Sequence, residues 1–291
     1  MLRFPVGIFA GTILLGAAPA LCGRASSQRL FALYKSPLEH AMARPVPLRV
    51  VIPPKPFLAL QFPIQGDEVI EGERIGIRWL SSRDVKQIRL YYYGQACPVG
   101  GKPRGKFDGF ITQLVRNEGD VQWKVPWMDG LKFRLRIAGF DARGRRLAED
   151  EQTVGFRPRV MSDVEPTCIV VDRAHQRLYY QRDGQILRMH VVSTARRGYV
   201  TPRMEPGGRW RGRAVGRVFA KRVWAWSRAY QCPMPFWMAI TSSGSHGIHA
   251  ATRQAQRFLG RPASHGCIRQ HENDAKALFE LVKPGTAVYV Y

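Results

Sequence analysis

The chain has 291 residues, of which 45% are hydrophobic, so it has room for about two domains with packed cores. Its formal net charge is +23, and 35 of its 45 basic residues are arginines against 10 lysines. Such a charge predicts attraction to polyanions. No nucleic-acid-binding motif can be read in the chain, so nucleic acid is not an expected partner.

The first residues have the pattern of an export signal. Arg3 precedes an apolar run over residues 4–15, and Ala18-Pro-Ala20 supplies the small residues of a cleavage site. The run is too short for a convincing membrane span. We therefore predict a cleaved signal peptide over residues 1–20 and a location in the periplasm or cell envelope, where anionic polymers could meet the basic surface. A lipid anchor at Cys22 is less expected, because a bulky leucine precedes it.

Two regions follow the signal peptide. Prolines break residues 21–56 repeatedly, which predicts a linker. Residues 57–160 alternate apolar and polar side chains between turns, which is typical of antiparallel strands in a sandwich. The predicted strands are Ile75–Trp79, Gln87–Tyr93, Val121–Val125 and Phe133–Phe140. This pattern loosely resembles an immunoglobulin-like β-sandwich of bacterial surface proteins, with Trp79 as its core tryptophan.

The remaining residues, 164–291, are also expected to be mainly β, with one helix. The predicted strands are Cys168–Val171, Arg177–Tyr180, Ile186–Ser193, Phe236–Thr241, Gly247–His249 and Ala287–Tyr291. A helix is predicted over Asp274–Val282, where apolar residues recur at helical spacing; Asn273 or Asp274 could cap it, and Pro284-Gly285 ends it. The arginines between residues 203 and 222 are interpreted as solvated positions.

A motif near the end of the chain carries the chemistry. His249 is followed after fourteen residues by Ser264-His-Gly-Cys-Ile-Arg269. A thiol is a weak nucleophile until it loses its proton, and a histidine within reach can accept that proton. Cys267 is therefore the candidate nucleophile and His249 its candidate base. Gly266 would let the backbone turn tightly beside the cysteine.

At these residues the chain resembles the L,D-transpeptidases, the cysteine enzymes that cross-link peptidoglycan. Other segments agree in order with the family: Thr167–Asp172 with Gln176–Tyr179, Met234–Trp237, Leu259-Gly260 with Pro262-Ala263, Asp274-Ala275 and Gly285-Thr286. The resemblance covers residues 164–291. It implies a β-sandwich-like catalytic domain with one or two helices, which acts without a cofactor.

The resemblance also implies roles for individual residues. Cys267 would attack the third stem residue of a peptidoglycan tetrapeptide, release D-Ala and hold the acyl group as a thioester. An amine of another stem peptide, or of an envelope protein, would then accept the acyl group. The family places a backbone carbonyl, here that of Ala250, against His249, and uses the N–H groups of Gly266 and Cys267 as an oxyanion hole. His265 would shape the pocket; the candidate substrate-binding residues are Arg269, Ser264, Met234, Phe236 and Trp237.

The charge state of the pair is a further expectation. An imidazolium beside the sulfur would favour the thiolate, so we expect Cys267 and His249 to form a thiolate–imidazolium pair. His246 could perturb the titration of His249. Arg269 could hold a substrate carboxylate in its bidentate fork, or it could form a structural ion pair.

Several alternatives remain open. Cys267 could be a buried structural thiol, or a zinc site could form from His246, His249, His265, Cys267 and His271. Water could resolve the thioester, which would make the protein an L,D-carboxypeptidase or an amidase. The protein could also bind the cell wall without catalysis.

The cysteine count is odd after cleavage. Cys22, Cys97, Cys168, Cys232 and Cys267 would remain, which suggests one free thiol in an oxidising compartment. Cys168 and Cys232 could form a disulfide or stay unpaired, and the sequence favours neither.

Overall fold

The computed structural model describes residues 55–291, and its fold is mainly β, as the sequence predicts. The predicted signal peptide, Cys22 and all but the last two residues of the predicted linker lie outside the described residues. Within residues 55–291, no helix is long and apolar enough to cross a membrane.

The region up to residue 157 contains nine strands. They are β1 (Leu58–Phe62), β2 (Glu68–Ile70), β3 (Arg74–Ser81), β4 (Gln87–Gln95), β5 (Lys106–Phe110), β6 (Val115–Arg116), β7 (Asp120–Lys124), β8 (Lys132–Phe140) and β9 (Arg146–Arg157). One sheet has the order β1-β3-β7, and the other has the order β2-β9-β8-β4-β5, with β6 also paired to β4. All four strands predicted here are present. The charged β9, of 12 residues, is the longest strand of this region, and the alternation does not indicate it.

Apolar side chains of both sheets form one core. Leu60 and Ile77 come from the first sheet, and Leu90 and Ile137 come from the second. Trp79 is 4% exposed, which confirms it as a core tryptophan, and its indole N–H donates to Asn117 Oδ1 at 2.8 Å. The region is therefore a β-sandwich, and its likeness to immunoglobulin-like modules stays a prediction.

The second region is built on a nine-stranded sheet and one α-helix. Its strands are β10 (Cys168–Asp172), β11 (Arg177–Arg182), β12 (Gln185–Ser193), β13 (Arg209–Trp210), β14 (Arg213–Ser227), β15 (Cys232–Thr241), β16 (Gly247–Ala250), β17 (Ile268–Gln270) and β18 (Ala287–Val290). Their order is β13-β14-β15-β16-β17-β12-β11-β10-β18. β14 also pairs with β18 through Arg217 and Ala287, so the sheet curls back on itself. The six predicted strands are all present, with shifted ends.

The helix α1 spans Glu272–Leu281. It buries Ala275 and Leu278 against the core, as the predicted spacing requires. The predicted cap was wrong: His271, in extended conformation, caps the helix by accepting a hydrogen bond from the Asn273 N–H. A histidine ring nitrogen can serve as this acceptor, which a reading limited to the commonest capping residues misses.

The arginine-rich segment holds a strand that its composition does not indicate. β14 runs for 15 residues and forms a long hairpin with β15. Of its three arginines, Arg213 and Arg222 are exposed and Arg217 is half-buried, in agreement with mostly solvated positions. The hairpin bears on the site described below.

The two regions contact each other through several side chains. The Arg177 guanidinium pairs with Asp129 at 2.7 Å, and the Trp127 and His175 rings stack at 4.2 Å. Residues 55–291 belong to one compact unit. The predicted boundary near residue 160 falls at a short 3₁₀ turn, Arg159–Met161, and stays a prediction.

Candidate active site

Two neighbouring parallel strands bring the candidate nucleophile and base together. β16 pairs with β17 in the register Ile248 to Ile268 and His249 to Arg269. Cys267 directly precedes β17, so it lies one step before this register, diagonal to His249. Residues two apart on a strand share a face, so His249 and Cys267 point to the same side. Both line one cavity of 370 Å³.

The His249 ring is held by its own chain. Its Nδ1 lies 2.8 Å from the Ala250 carbonyl oxygen. A carbonyl can only accept, so Nδ1 carries the proton and Nε2 keeps a free lone pair. His249 is 4% exposed. Its pKa is lowered to about 4, chiefly by burial; the Arg269 charge also lowers the pKa, while the hydrogen bond to the Ala250 carbonyl raises it. His249 is therefore neutral near neutral pH and able to accept a proton.

Burial acts on Cys267 in the opposite direction. It raises the pKa of the Cys267 thiol, while the Gly247 amide and Arg269 lower it and Cys232 raises it. Both partners are thus shifted toward their neutral forms, because burial disfavours any charge. These directions disfavour the expected thiolate–imidazolium pair and favour a neutral thiol and a neutral imidazole.

The turn before Cys267 requires glycine. Gly266 has φ +134°, and a Cβ there would lie 2.8 Å from His246 Nε2 and 3.0 Å from the Val200 carbonyl oxygen. Its N–H donates to Ser264 Oγ at 3.1 Å, and its carbonyl accepts from Thr201 Oγ1 at 2.8 Å. The Gly266 N–H is thus already engaged, which corrects its expected place in an oxyanion hole. The Cys267 N–H remains the candidate donor.

A hairpin loop closes one side of the cavity. Tyr230, in the β14–β15 loop, stacks on the His265 ring at 4.3 Å and 8°. His265 Nε2 in turn accepts from Arg196 at 2.9 Å. Burial, Arg196 and Arg269 all lower the pKa of His265, so a neutral ring that accepts from arginine is consistent with its surroundings. The stack ties the loop to the motif that carries Cys267.

Strand β15 supplies another wall of the cavity. Trp237 is buried, and its ring lies 5.8 Å from that of His249. A Cβ at Gly247 would lie only 2.4 Å from the Trp237 indole. Gly247 therefore lets the indole pack directly on the strand that carries His249.

Comparison with known families agrees with this geometry. Residues 166–290 match the model of the YkuD family, the L,D-transpeptidase catalytic domain. The match covers under half of the chain, and it identifies residues 166–290 as a domain similar to that catalytic domain. No curated protein matches the chain.

Solved L,D-transpeptidase structures are also similar. One from Mycobacterium smegmatis is 15% identical and covers 80% of this chain and 99% of its own, with a TM-score of 0.37. One from Mycobacterium tuberculosis H37Rv is 15% identical and covers 80% and 98%, with a TM-score of 0.37. The E. faecium catalytic domain is 26% identical and covers 45% and 100%, with a TM-score of 0.36. These scores are low, so the assignment rests on the family match.

In this domain, most predicted site residues converge. Cys267, His249, His265, Arg269, Met234 and Trp237 all line the catalytic cavity. Arg269 pairs with no carboxylate among the described residues; its Nη1 donates weakly to the Ala263 carbonyl at 3.4 Å. Its expected structural ion pair is thus not seen within residues 55–291, which leaves the guanidinium available to a ligand.

Two predicted substrate-binding residues lie elsewhere. Ser264 is fully buried, and its hydroxyl accepts the Gly266 N–H, so it shapes the turn rather than contacting a ligand. Phe236 has φ +57° and packs its ring 5.8 Å from Phe279 of α1. The left-handed residue breaks the alternation of β15 and turns Phe236 toward α1, whereas the resemblance placed it in the substrate-binding segment.

Sequence reasoning missed the contributions of Gly247, Trp226 and Tyr230. The last two lie in the hairpin that lines the cavity. Alternating aromatic residues at Trp224 and Trp226 were the available signal of a strand. No sequence signal shows that Tyr230 would stack on His265, because that contact depends on how the hairpin bends.

The remaining thiols and the alternative metal site can be located. Cys97, Cys168, Cys232 and Cys267 are unpaired among the described residues, so Cys168 and Cys232 form no disulfide there. Within residues 55–291, no three His, Cys, Asp or Glu side chains are grouped so that they could hold a metal ion. The His246 ring is instead held by two hydrogen bonds: its Nε2 lies 3.1 Å from the Val200 carbonyl oxygen, and its Nδ1 lies 3.1 Å from Ser245 Oγ.

Proposed function

We propose that this protein is an L,D-transpeptidase that acts on peptidoglycan stem peptides through a thioester at Cys267. The observation that carries the proposal is the oriented His249, with Nδ1 fixed on the Ala250 carbonyl and Nε2 free, in the same cavity as Cys267. A reaction in the cell wall would require the export that residues 1–20 predict.

The first half of the reaction forms the thioester. His249 Nε2 takes the proton of Cys267 as the sulfur attacks the carbonyl of the third stem residue. The Ala250 carbonyl stabilises the positive charge that appears on the ring, and the Cys267 N–H is placed to stabilise the oxyanion. The C–N bond to the terminal D-Ala then breaks, and the amine leaves with the proton from His249.

The second half releases the enzyme. An amine attacks the thioester carbonyl, gives its proton to His249, and displaces the sulfur. The C–N bond forms as the C–S bond breaks, and the proton returns to Cys267. The Tyr230–His265 stack holds the hairpin over the cavity, and such a cover limits the access of water to the thioester. This contact favours transfer over hydrolysis.

The test is product analysis with disaccharide-tetrapeptides. We expect released D-Ala and a cross-linked dimer one D-Ala lighter than two substrates, identified by mass spectrometry. The Cys267→Ala variant should yield neither, because it lacks the nucleophile. Release of D-Ala with only the hydrolysed tripeptide would support the carboxypeptidase alternative. Full activity of Cys267→Ala would refute the thioester mechanism.

A further inference from the structure

A second cavity lies beside the catalytic one. It measures 500 Å³, and four arginines line it: Arg196, Arg257, Arg261 and Arg269. We call it the arginine cavity. Arg269 lines both cavities, so a ligand in the arginine cavity would lie next to the nucleophile.

The charge of this cavity is not neutralised by the protein. No aspartate or glutamate lines it, and none of its four arginines forms an ion pair with a carboxylate of residues 55–291. The sequence contains no acidic residue from Pro206 to His271. Guanidinium groups in a concave site without carboxylates create a strong attraction for anions, and they bind carboxylates in a bidentate manner.

Uncharged partners hold these arginines in place. Arg257 and Arg261 lie over the Phe258 ring at 4.7 and 4.9 Å. Arg196 lies over Tyr199 at 5.1 Å and donates to His265. Stacking on aromatic rings orients a guanidinium but leaves its charge unbalanced. Arg196, Arg257 and Arg261 are exposed, so the cavity presents several unpaired guanidinium groups to a ligand with more than one anionic group.

We propose that the arginine cavity binds the carboxylates of the acyl acceptor, so that the enzyme selects an anionic stem peptide as the amine donor. This inference rests on the proposed function. A transfer reaction needs a second substrate whose amine reaches the thioester carbonyl, and the shared Arg269 places this cavity beside that carbonyl. The bonds and protons exchanged are those of the second half-reaction above; the arginines bind and orient the acceptor without taking part in proton transfer.

The experiment separates the two half-reactions. With one tetrapeptide donor, the KM for the acceptor is measured for two stem peptides that differ only in their carboxylates, which are free in one and amidated in the other. Acylation is followed separately as D-Ala released from a donor whose free amines are acetylated, so that the donor itself cannot serve as acceptor. The variants are Arg257→Gln, Arg261→Gln and the double variant. The matched control is Arg253→Gln, which removes the same charge from another exposed arginine of the same loop, one that does not line the cavity.

We expect the double variant to raise the KM for the free-carboxylate acceptor roughly tenfold, the effect of losing about one charge-assisted contact. The rise should exceed any change in acylation rate, and it should be absent with the amidated acceptor. Arg253→Gln should change neither KM. Equal use of both acceptors by the wild type, or an equal effect of the control, would overturn the inference. Failure of the wild type to release D-Ala from the donor would instead refute the proposed function.

Discussion

Arginine is used differently in the two regions of this molecule. In the sandwich, six of the twelve arginines of residues 57–157 pair with carboxylates; the pairs are Arg104–Asp129, Arg134–Glu151, Arg136–Glu151, Arg145–Asp141, Arg146–Glu149 and Arg157–Glu68. Around the catalytic cavity, the acid-free segment from Pro206 to His271 leaves its arginines without local partners, and only Arg217 reaches a distant carboxylate, that of Glu165.

The difference shows what the net charge of +23 means. In the sandwich, carboxylates offset the cations and hold strands together. On the catalytic side, the charge is concentrated where a ligand would bind, and stability there comes from apolar packing and backbone hydrogen bonds. The unpaired positive charge of the protein is thus distributed unevenly in the fold.

The largest expected effect is on the catalytic side. His249→Gln should lower the rate of acylation by the tetrapeptide at least about 100-fold, because general-base catalysis is lost. The His246→Gln variant is the matched control, since this neighbouring ring contacts Val200 and Ser245 rather than the Ala250 carbonyl. We expect a much smaller loss there. D-Ala release measures both rates. A larger loss in His246→Gln would show that His246, and not His249, is the base.

The pH dependence of stability should also differ between the regions. The pKa of His249 is about 4 in the folded protein, below its ordinary value of 6.5, so between these values the unfolded chain binds the proton first. The free energy of unfolding therefore falls as the pH drops from 6.5 to 4, by up to about 3 kcal/mol from this residue. His249→Gln should remove that part of the loss, as measured by denaturant unfolding at several pH values.

The sandwich provides the contrast in that measurement. Burial raises the pKa of Glu151, but Tyr93 and Arg136 more than offset it, so its pKa is lowered overall from 4.5. The contribution of Glu151 to the free energy of unfolding is present above pH 4.5. It is lost only as the pH falls through the lowered pKa. An unchanged pH dependence in His249→Gln between pH 6.5 and 4 would contradict the buried, neutral histidine.

A smaller effect compares a paired arginine with an unpaired one. Arg136 donates to Glu151 at 2.5 Å and to the Tyr93 hydroxyl at 2.6 Å. Arg136→Gln should lower the free energy of unfolding by about 1 kcal/mol, since these contacts are partly exposed. Arg222→Gln, on the exposed hairpin, should cause no measurable change. Equal losses in denaturant unfolding would remove the distinction between the two regions.

The sequence predicted the parts of the site that depend on residues close together in the chain. The spacing of His249 and Cys267, the strands that carry them, and the helix after them follow from motifs and alternation. The bend of the hairpin does not, because it depends on the left-handed Phe236 and on the stack between Tyr230 and His265. The engaged Gly266 N–H and the neutral state of the catalytic pair also depend on burial, which the sequence does not show.

The central claim is that Cys267 carries the acyl group, and a map of the acylated cysteine tests it most directly. Cys232 is the sharpest rival, because its thiol lines the same cavity. The enzyme would be mixed with a tetrapeptide donor whose free amines are acetylated, so that no acceptor is present. The mixture would then be quenched in acid, digested and analysed by mass spectrometry. We predict a thioester of the tripeptide on the fragment that contains Cys267, with D-Ala released in equal amount. An acyl group on Cys232, or on no cysteine while D-Ala is released, would contradict the account.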